Sequence, residues 1–196
     1  GLGYYRRARH LHIAAKQIVG THNSVFPRDP VQARKLPGVG RYILGAVLSQ
    51  AYETRLPIVE ANSLRLLARL GGYLGDPRTG SWTWQAAEAL LPAKRIGDFN
   101  QALMELGATV CTPKTPKCGT CPLRRECIAQ RDGLQELIPP PKKQLKVIEV
   151  REVAVVIRRG DTVLVGQRPA DAPRWASMWE FPHEESNNAV AMAKEL

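Results

Sequence analysis

The sequence predicts a mainly α-helical fold that gives way, after about residue 133, to a β-containing segment. Three observations carry that prediction. Apolar residues recur at helical spacing in five stretches before residue 110. All four cysteines then fall in one 17-residue run, "CTPKTPKCGTCPLRREC". Beyond "LIPPPKKQLK", a Pro- and Lys-rich stretch that reads as an extended linker, "EVREVAVVIRRGDTVLVGQRP" places two β-branched runs on either side of Arg159-Gly160-Asp161, a hairpin signal. There are no internal repeats.

In residues 6–19, "RRARHLHIAAKQIV", Leu11, Ala14, Ala15 and Ile18 share one face of a helix. Residues 20–30, rich in Asn, Ser, Pro and Asp, read as a loop. "LPGVGRYILGAVLSQAY" is a Gly-rich turn opening a helix from about Arg41 to Tyr52. In "LPIVEANSLRLLARL" an apolar run, Leu56 to Val59, ends in Glu60. Asn62 follows two residues later and begins a leucine-rich helix to Leu70, with Arg65 and Arg69 one turn apart. "GDPRTGSW" reads as a loop. Helices are expected at Trp82–Leu91 and Asp98–Leu106, with Asp98 as N-cap and Gly107 as stop. In the second segment Trp175, Trp179 and Phe181 are expected in the core.

The 196 residues allow one large domain or two small ones. Lys and Arg outnumber Asp and Glu by 28 to 18, a formal excess of +10, which favours a nucleic acid over an anionic membrane as partner. No apolar run approaches the roughly 20 residues a membrane-spanning helix needs, and no signal pattern opens the chain. It begins at Gly1, without a methionine and in mid-element, which reads as a fragment.

The cysteines, Cys111, Cys118, Cys121 and Cys127, are spaced C-x6-C-x2-C-x5-C. A compact set of four with none elsewhere argues for metal ahead of disulfides. Thiolates suit zinc and iron–sulfur clusters alike, and the spacing leaves both open. A cluster implies a reducing compartment such as the cytoplasm. Lys114, Lys117, Arg124 and Arg125 would then lie on loops pinned by the ligands, where they meet phosphates without a large ordering cost. His10, His12 and His22 are scattered among basic residues and read as surface or phosphate-facing groups.

In "LPGVGRY", Gly38 and Gly40 flank Val39 just before a helix. Glycines permit a tight turn, and helix-start N–H groups bind anions. No Walker lysine follows and the spacing is not that of a dinucleotide-binding turn, so a nucleotide cofactor is not expected. Glu60 has a bland explanation: acids accept hydrogen bonds from free N–H groups at helix starts and complement the helix dipole.

Taken together, this turn, a carboxylate 20 residues past its second glycine, and the four-cysteine run resemble the helix-hairpin-helix, iron–sulfur DNA glycosylases. The superfamily includes endonuclease III and the MutY-type adenine glycosylases. The opening "GLGYYRRARHLHIAAK" is similar to a MutY-type segment. The resemblance makes Tyr4 the residue that wedges into the base stack and Gly38, Val39 and Gly40 the grip on one DNA phosphate, which carries no sequence specificity. Tyr42 stands where the endonuclease III type has its Schiff-base lysine, which implies glycosidic cleavage without efficient strand scission. Val59-Glu60-Ala61-Asn62 matches the family's Val-Asp-Gly-Asn, so Glu60 would be the carboxylate that stabilises the sugar cation and Asn62 the amide that helps position it. Glu is longer than Asp by about 1.5 Å, and Ala61 restricts the backbone more than Gly does.

The resemblance implies a [4Fe–4S] cluster on the four cysteines. It also implies a monomer acting on double-stranded DNA with 8-oxoguanine:adenine or guanine:adenine mispairs, without a membrane, in a bacterial cytoplasm beside the nucleoid. "LVGQRP" and "MWEFP" resemble the start of the Nudix-like domain that reads 8-oxoguanine. The implied organisation is a partial six-helix module with the hairpin at 1–57, an iron–sulfur helical domain at 58–133, a linker at 134–150 and the truncated start of an α+β Nudix-like domain at 151–196. The family's general acid would lie upstream of Gly1, so these residues alone are expected to bind DNA weakly and to leave adenine in place. Two rival functions are a glycosylase-lyase acting on oxidised pyrimidines and a non-catalytic DNA-binding relative.

Overall fold

The computed structural model describes residues 5–142, 147 and 149–185. The chain divides into two compact units, residues 1–142 and 143–196. Tyr4 lies outside the described residues.

The first unit is helical: α1 (Tyr5–Thr21), α2 (Pro30–Arg34), α3 (Arg41–Tyr52), α4 (Ala61–Leu70), α5 (Trp82–Leu90), α6 (Ile96–Thr109) and α7 (Ile128–Arg131), with a 3-10 turn at Cys118–Thr120. Helix α4 is its centre. It packs against α5, α6 and α7, and Val59, Leu66, Leu67, Ala87, Leu103 and Cys111 form one buried cluster around it. A second cluster, Ala68, Ala129 and Ile138, closes the opposite side, with Trp82 and Tyr73 stacked at 4.2 Å beside it.

The extended run before α4 is held from two sides. Buried Asn100 on α6 donates to Leu56 O and to Ser49 Oγ on α3, and its Oδ1 accepts the N–H of Ile58 at 3.2 Å. Glu53, in the left-handed conformation at the C-terminus of α3, accepts the Ile96 N–H at 2.9 Å and so caps α6. These bonds satisfy backbone groups that a buried non-helical segment would otherwise leave unpaired, and they fix where Glu60 emerges.

Several expectations are corrected here. Residues 20–30 do not form one loop, because α1 runs on through Gly20 to Thr21. A short helix, α2, then follows, with Asp29 capping it through the N–H groups of Val31 and Gln32 and Pro30 in its first turn. Asp98 is not an N-cap. Helix α6 starts at Ile96, and Asp98 sits in its first turn, paired with Arg95 at 2.7 Å. Gly107 does not stop α6; it lies buried inside it. A Cβ there would fall 2.6 Å from Asn62 O, so the glycine serves the close approach of α6 to α4. Gly107→Ala is therefore expected to lower the urea midpoint, a cost of about 1–3 kcal/mol from overpacking, with the m-value unchanged. On α1 only Ala14 is buried, and Leu11 is 73% exposed: among the described residues nothing covers the whole apolar face.

The second unit contains three antiparallel two-stranded ladders among its described residues. β1 (Glu152–Ala154) pairs with β6 (His183–Glu185), β2 (Arg158–Arg159) with β3 (Thr162–Val163), and β4 (Gly166–Gln167) with β5 (Trp179–Glu180). The expected hairpin is the β2–β3 pair, with Gly160 at φ +59° in the turn. Trp175 and Trp179 are not core residues: they are 61% and 65% exposed, because the described ladders stack no second layer over them. Arg168 pairs with Glu180 at 2.8 Å, and His183 lies 3.1 Å from the same carboxylate. The Arg168 guanidinium holds the Glu180 carboxyl below its usual range.

Candidate functional site

At the start of α4, Glu60 is the N-cap, in extended conformation (φ −133°, ψ −178°). Its Oε2 accepts the Asn62 N–H at 2.8 Å and its Oε1 the Ser63 N–H at 2.7 Å. Ser63 Oγ in turn accepts the Glu60 N–H at 2.9 Å, completing a reciprocal capping box. The bland explanation of Glu60 is thus correct as far as it goes: the carboxylate satisfies free N–H groups of a helix that is buried nearly all round. It also leaves Glu60 half-buried at a fixed point, with its negative charge at the positive end of the helix dipole.

Asn62 is tied down by Arg65, whose Nη2 donates to Asn62 Oδ1 at 3.1 Å. The same guanidinium donates to Gly107 O at 2.7 Å and, through Nε, to Cys111 O at 2.8 Å. One turn later Arg69 donates to Thr112 O at 2.7 Å, Pro113 O at 2.9 Å and Ile138 O at 2.8 Å, and its Nη1 lies 3.5 Å from Cys111 Sγ. Both arginines are buried. Burial pushes the Arg65 guanidinium below its ordinary value; Cys111 opposes the shift, Arg69 reinforces it, and Glu60 opposes it more weakly. Sequence reasoning noted the one-turn spacing of these arginines but missed their role. Asn62, Arg65 and Arg69 lie at i, i+3 and i+7 and share one polar face of α4, which reads as solvated and gives no sign that it is buried.

All four cysteines are free thiols lining one cavity beneath Leu66 and Arg69. Cys111 follows the C-cap of α6, Cys118 and Cys121 bracket the 3-10 turn, and Cys127 is the N-cap of α7. Burial pushes the Cys127 thiol up, a backbone hydrogen bond at Gln130 works against that, and Cys111 and Cys118 add to the rise. Burial thus disfavours the thiolate here, an effect a bound metal cation would offset. An all-sulfur donor set around one cavity fits a soft metal centre. Among the described residues no three Cys, His, Asp or Glu side chains converge as the ligands of a single ion would. Lys114, Lys117, Arg124 and Arg125 are all exposed on the segments between the thiols.

The Gly-rich turn joins α2 to α3. Gly38 is left-handed (φ +81°), and a Cβ there would fall 2.9 Å from the Cβ of His10 on α1. Gly40 is the N-cap of α3 and supplies no side-chain acceptor, which leaves the first-turn N–H groups open to an anion. Val39 N–H bonds Leu36 O at 3.1 Å, closing the turn onto the buried Leu36. Tyr42, in the first turn of α3, is 44% exposed. Among the described residues no hydrogen bond joins it to Glu60 or Asn62. The fold thus brings Glu60 and Asn62 together and links them through Arg65 to the cysteine loop, while Gly38, Val39, Gly40 and Tyr42 form a separate group at the start of α3. No described helix is long and apolar enough to cross a membrane.

No family model matches the chain. The adenine DNA glycosylase of Buchnera aphidicola (Schizaphis graminum) is 34% identical, in a match covering 93% of this chain and 53% of that protein. The adenine DNA glycosylase of Arabidopsis thaliana is 36% identical over 97% of this chain and 33% of its own length, and that of Schizosaccharomyces pombe 41% identical over 93% and 49%. The chain thus spans about half the length of these relatives or less. Among solved structures, a thermostable thymine-DNA glycosylase matches 67% of this chain and 62% of its own, with 30% identity and a TM-score of 0.60. An endonuclease III trapped covalently on DNA shares the fold at 24% identity, with a TM-score of 0.57 over 68% of this chain and 62% of its own. The chain shares its helical fold with endonuclease III, and along nearly its whole sequence it is similar to adenine DNA glycosylases.

Proposed function

We propose that this protein is a base-excision-repair glycosylase that hydrolyses the N-glycosidic bond of adenine opposite 8-oxoguanine or guanine. The observation that carries the reading is the likeness to proteins named adenine DNA glycosylase along nearly the whole chain. The hairpin residues Gly38, Val39 and Gly40 bind a backbone phosphate through the open N–H groups of α3, and Tyr4 wedges beside the mispair. The exposed Lys114, Lys117, Arg124 and Arg125 add phosphate contacts, for which the chain's excess charge of +10 is suited. The adenine leaves the stack at a cost of a few kcal/mol. Its bond to the sugar then breaks with the electron pair leaving on the base, which takes up a proton, and the hydroxyl of a water ends on the sugar carbon. The carboxylate of Glu60 stabilises the cationic sugar, as one of two carboxyl groups does in sugar hydrolysis. Asn62, oriented by Arg65, holds it in place, and Tyr42 lines the approach to the base.

Cys111, Cys118, Cys121 and Cys127 hold a [4Fe–4S] cluster in this reading. The support for it is the all-thiol lining of one cavity together with the four-cysteine spacing. When bound, it supplies iron–thiolate bonds that fix the basic loop. The strands from residue 151 onward belong to a Nudix-like domain that reads 8-oxoguanine; of the expected linker at 134–150, residues 134–142 belong to the helical unit, with Ile138 in its core, and the linker is the stretch after residue 142. The division of the helical part into modules at 1–57 and 58–133 belongs to the same reading. The setting is a reducing compartment, the cytoplasm beside the nucleoid, and the working form is a monomer.

The test is single-turnover release of adenine from a duplex with an 8-oxoguanine:adenine pair, using the full-length protein with and without borohydride. The expected result is free adenine and no covalent adduct, since Tyr42 offers no amine. A trapped adduct with release of oxidised pyrimidines would make the protein a lyase. No release, with equal affinity for mispaired and undamaged duplex, would make it a DNA-binding relative.

A further inference from the structure

Arg65 and Arg69 are two buried cations one turn apart on α4, 7% and 3% exposed. Among the described residues neither forms an ion pair with a carboxylate. Every acceptor of Arg69 is a neutral carbonyl except Cys111 Sγ, at 3.5 Å. Burying a guanidinium without a counter-charge costs several kcal/mol even after relaxation, and two of them beside each other cost more. Carbonyl acceptors recover part of that cost, and negative charge supplied nearby would offset more of it. The cavity against Arg69 is lined by four thiols, the one set of groups in reach that becomes anionic on binding metal.

We propose that Arg69 is a positioning residue of the thiolate centre, whose buried charge is balanced by that centre and, among the described residues, by no carboxylate. The inference rests on the cluster reading above and deepens it. A cluster bound by four thiolates is an anion, and a fixed cation in hydrogen-bond reach of one ligand sulfur favours the thiolate and also favours adding an electron. The same guanidinium clamps the carbonyls of Thr112 and Pro113, the two residues that follow Cys111. Charge and clamp thus act at the root of the six-residue span between Cys111 and Cys118. Arg65 differs in kind, because it reaches Cys111 only through the carbonyl and directs its other bonds to Asn62 and Gly107.

The experiment uses the full-length protein and needs no substrate. Iron and acid-labile sulfide are quantified first in the wild type; their absence would sink the cluster reading itself and the inference with it. Arg69→Met, Arg69→Gln and Arg69→Lys are then compared by the rate of iron release to a chelator and by the reduction potential of the bound centre. Met and Gln are expected to release iron on the order of tenfold faster and to shift the potential to more negative values. Lys, which keeps the charge but not the fork, is expected to hold the potential near that of the wild type. Potentials that are equal in Gln and wild type, or shifted alike in Gln and Lys, would overturn the charge balance. If Arg69→Met does not accumulate as folded protein, the Gln and Lys pair carries the same comparison. Failure of both neutral variants to retain iron while Lys retains it supports the proposal.

Discussion

Glu60→Gln in the full-length protein is expected to slow single-turnover adenine release by on the order of a hundredfold or more, with a loss in stability of only about 1 kcal/mol. The two effects separate because the carboxylate has two jobs. As N-cap it accepts the Asn62 and Ser63 N–H groups through different oxygens. Glutamine keeps one oxygen for the cap, and the Ser63 side of the box remains, since Ser63 Oγ accepts from the backbone of residue 60. What the neutral amide cannot supply is a negative charge beside a sugar becoming cationic. Glu60→Asp is the informative companion. Aspartate is a good N-cap and keeps the charge, but its carboxylate is drawn back by about 1.5 Å. Release by the Asp variant close to the wild type, with release by Gln largely lost, identifies charge as the requirement. Undiminished release by Gln removes Glu60 from the chemistry and leaves it only the cap.

The helices were legible where a strong apolar pattern ran between clear start and stop signals. The span Arg41–Tyr52 was read to the residue, and α4 and α5 to within one. The five-residue α2 was too short for periodicity to register, although Asp29 followed by Pro30 was a readable start signal. Gly107 was misread because a glycine after an apolar run is as good a stop as it is a contact, and only the position of Asn62 O decides between them. Asp98 was misread for a related reason, since an acid suits the first turn as well as the cap. The resemblance named the candidate site residues in order along the chain. It could not show that Arg65 and Arg69 bind the cysteine loop to α4. Arginine in a leucine-rich helix reads as a solvated face, and the partners that bury it are backbone carbonyls 42 to 69 residues away, which carry no sequence signature. Trp175 and Trp179 went wrong in the opposite direction, because large aromatic residues carry a strong prior for burial that the described ladders do not satisfy.

Arg65→Met should be among the most damaging single changes to the helical unit, since one side chain joins three elements there. Its loss strips donors from Gly107 O on α6, Cys111 O on the cysteine loop and Asn62 Oδ1 at the start of α4. Two buried carbonyls without donors cost about 1–3 kcal/mol each. Relief of the buried charge, whose desolvation already lowers the Arg65 pKa, offsets part of that, so a net loss of about 2–4 kcal/mol is expected. Against a typical total of about 5–15 kcal/mol the urea midpoint should fall clearly while the m-value stays constant. Arg65→Lys should recover little, because a single ammonium cannot bridge acceptors that the planar fork meets from both Nε and Nη2. Adenine release should fall in both variants by more than the folded fraction accounts for, because Asn62 loses the donor that orients it next to Glu60. Equal midpoints for Met and wild type would mean that water or a neighbouring donor satisfies those carbonyls, and that the bridge between the carboxylate and the cysteine loop bears no load.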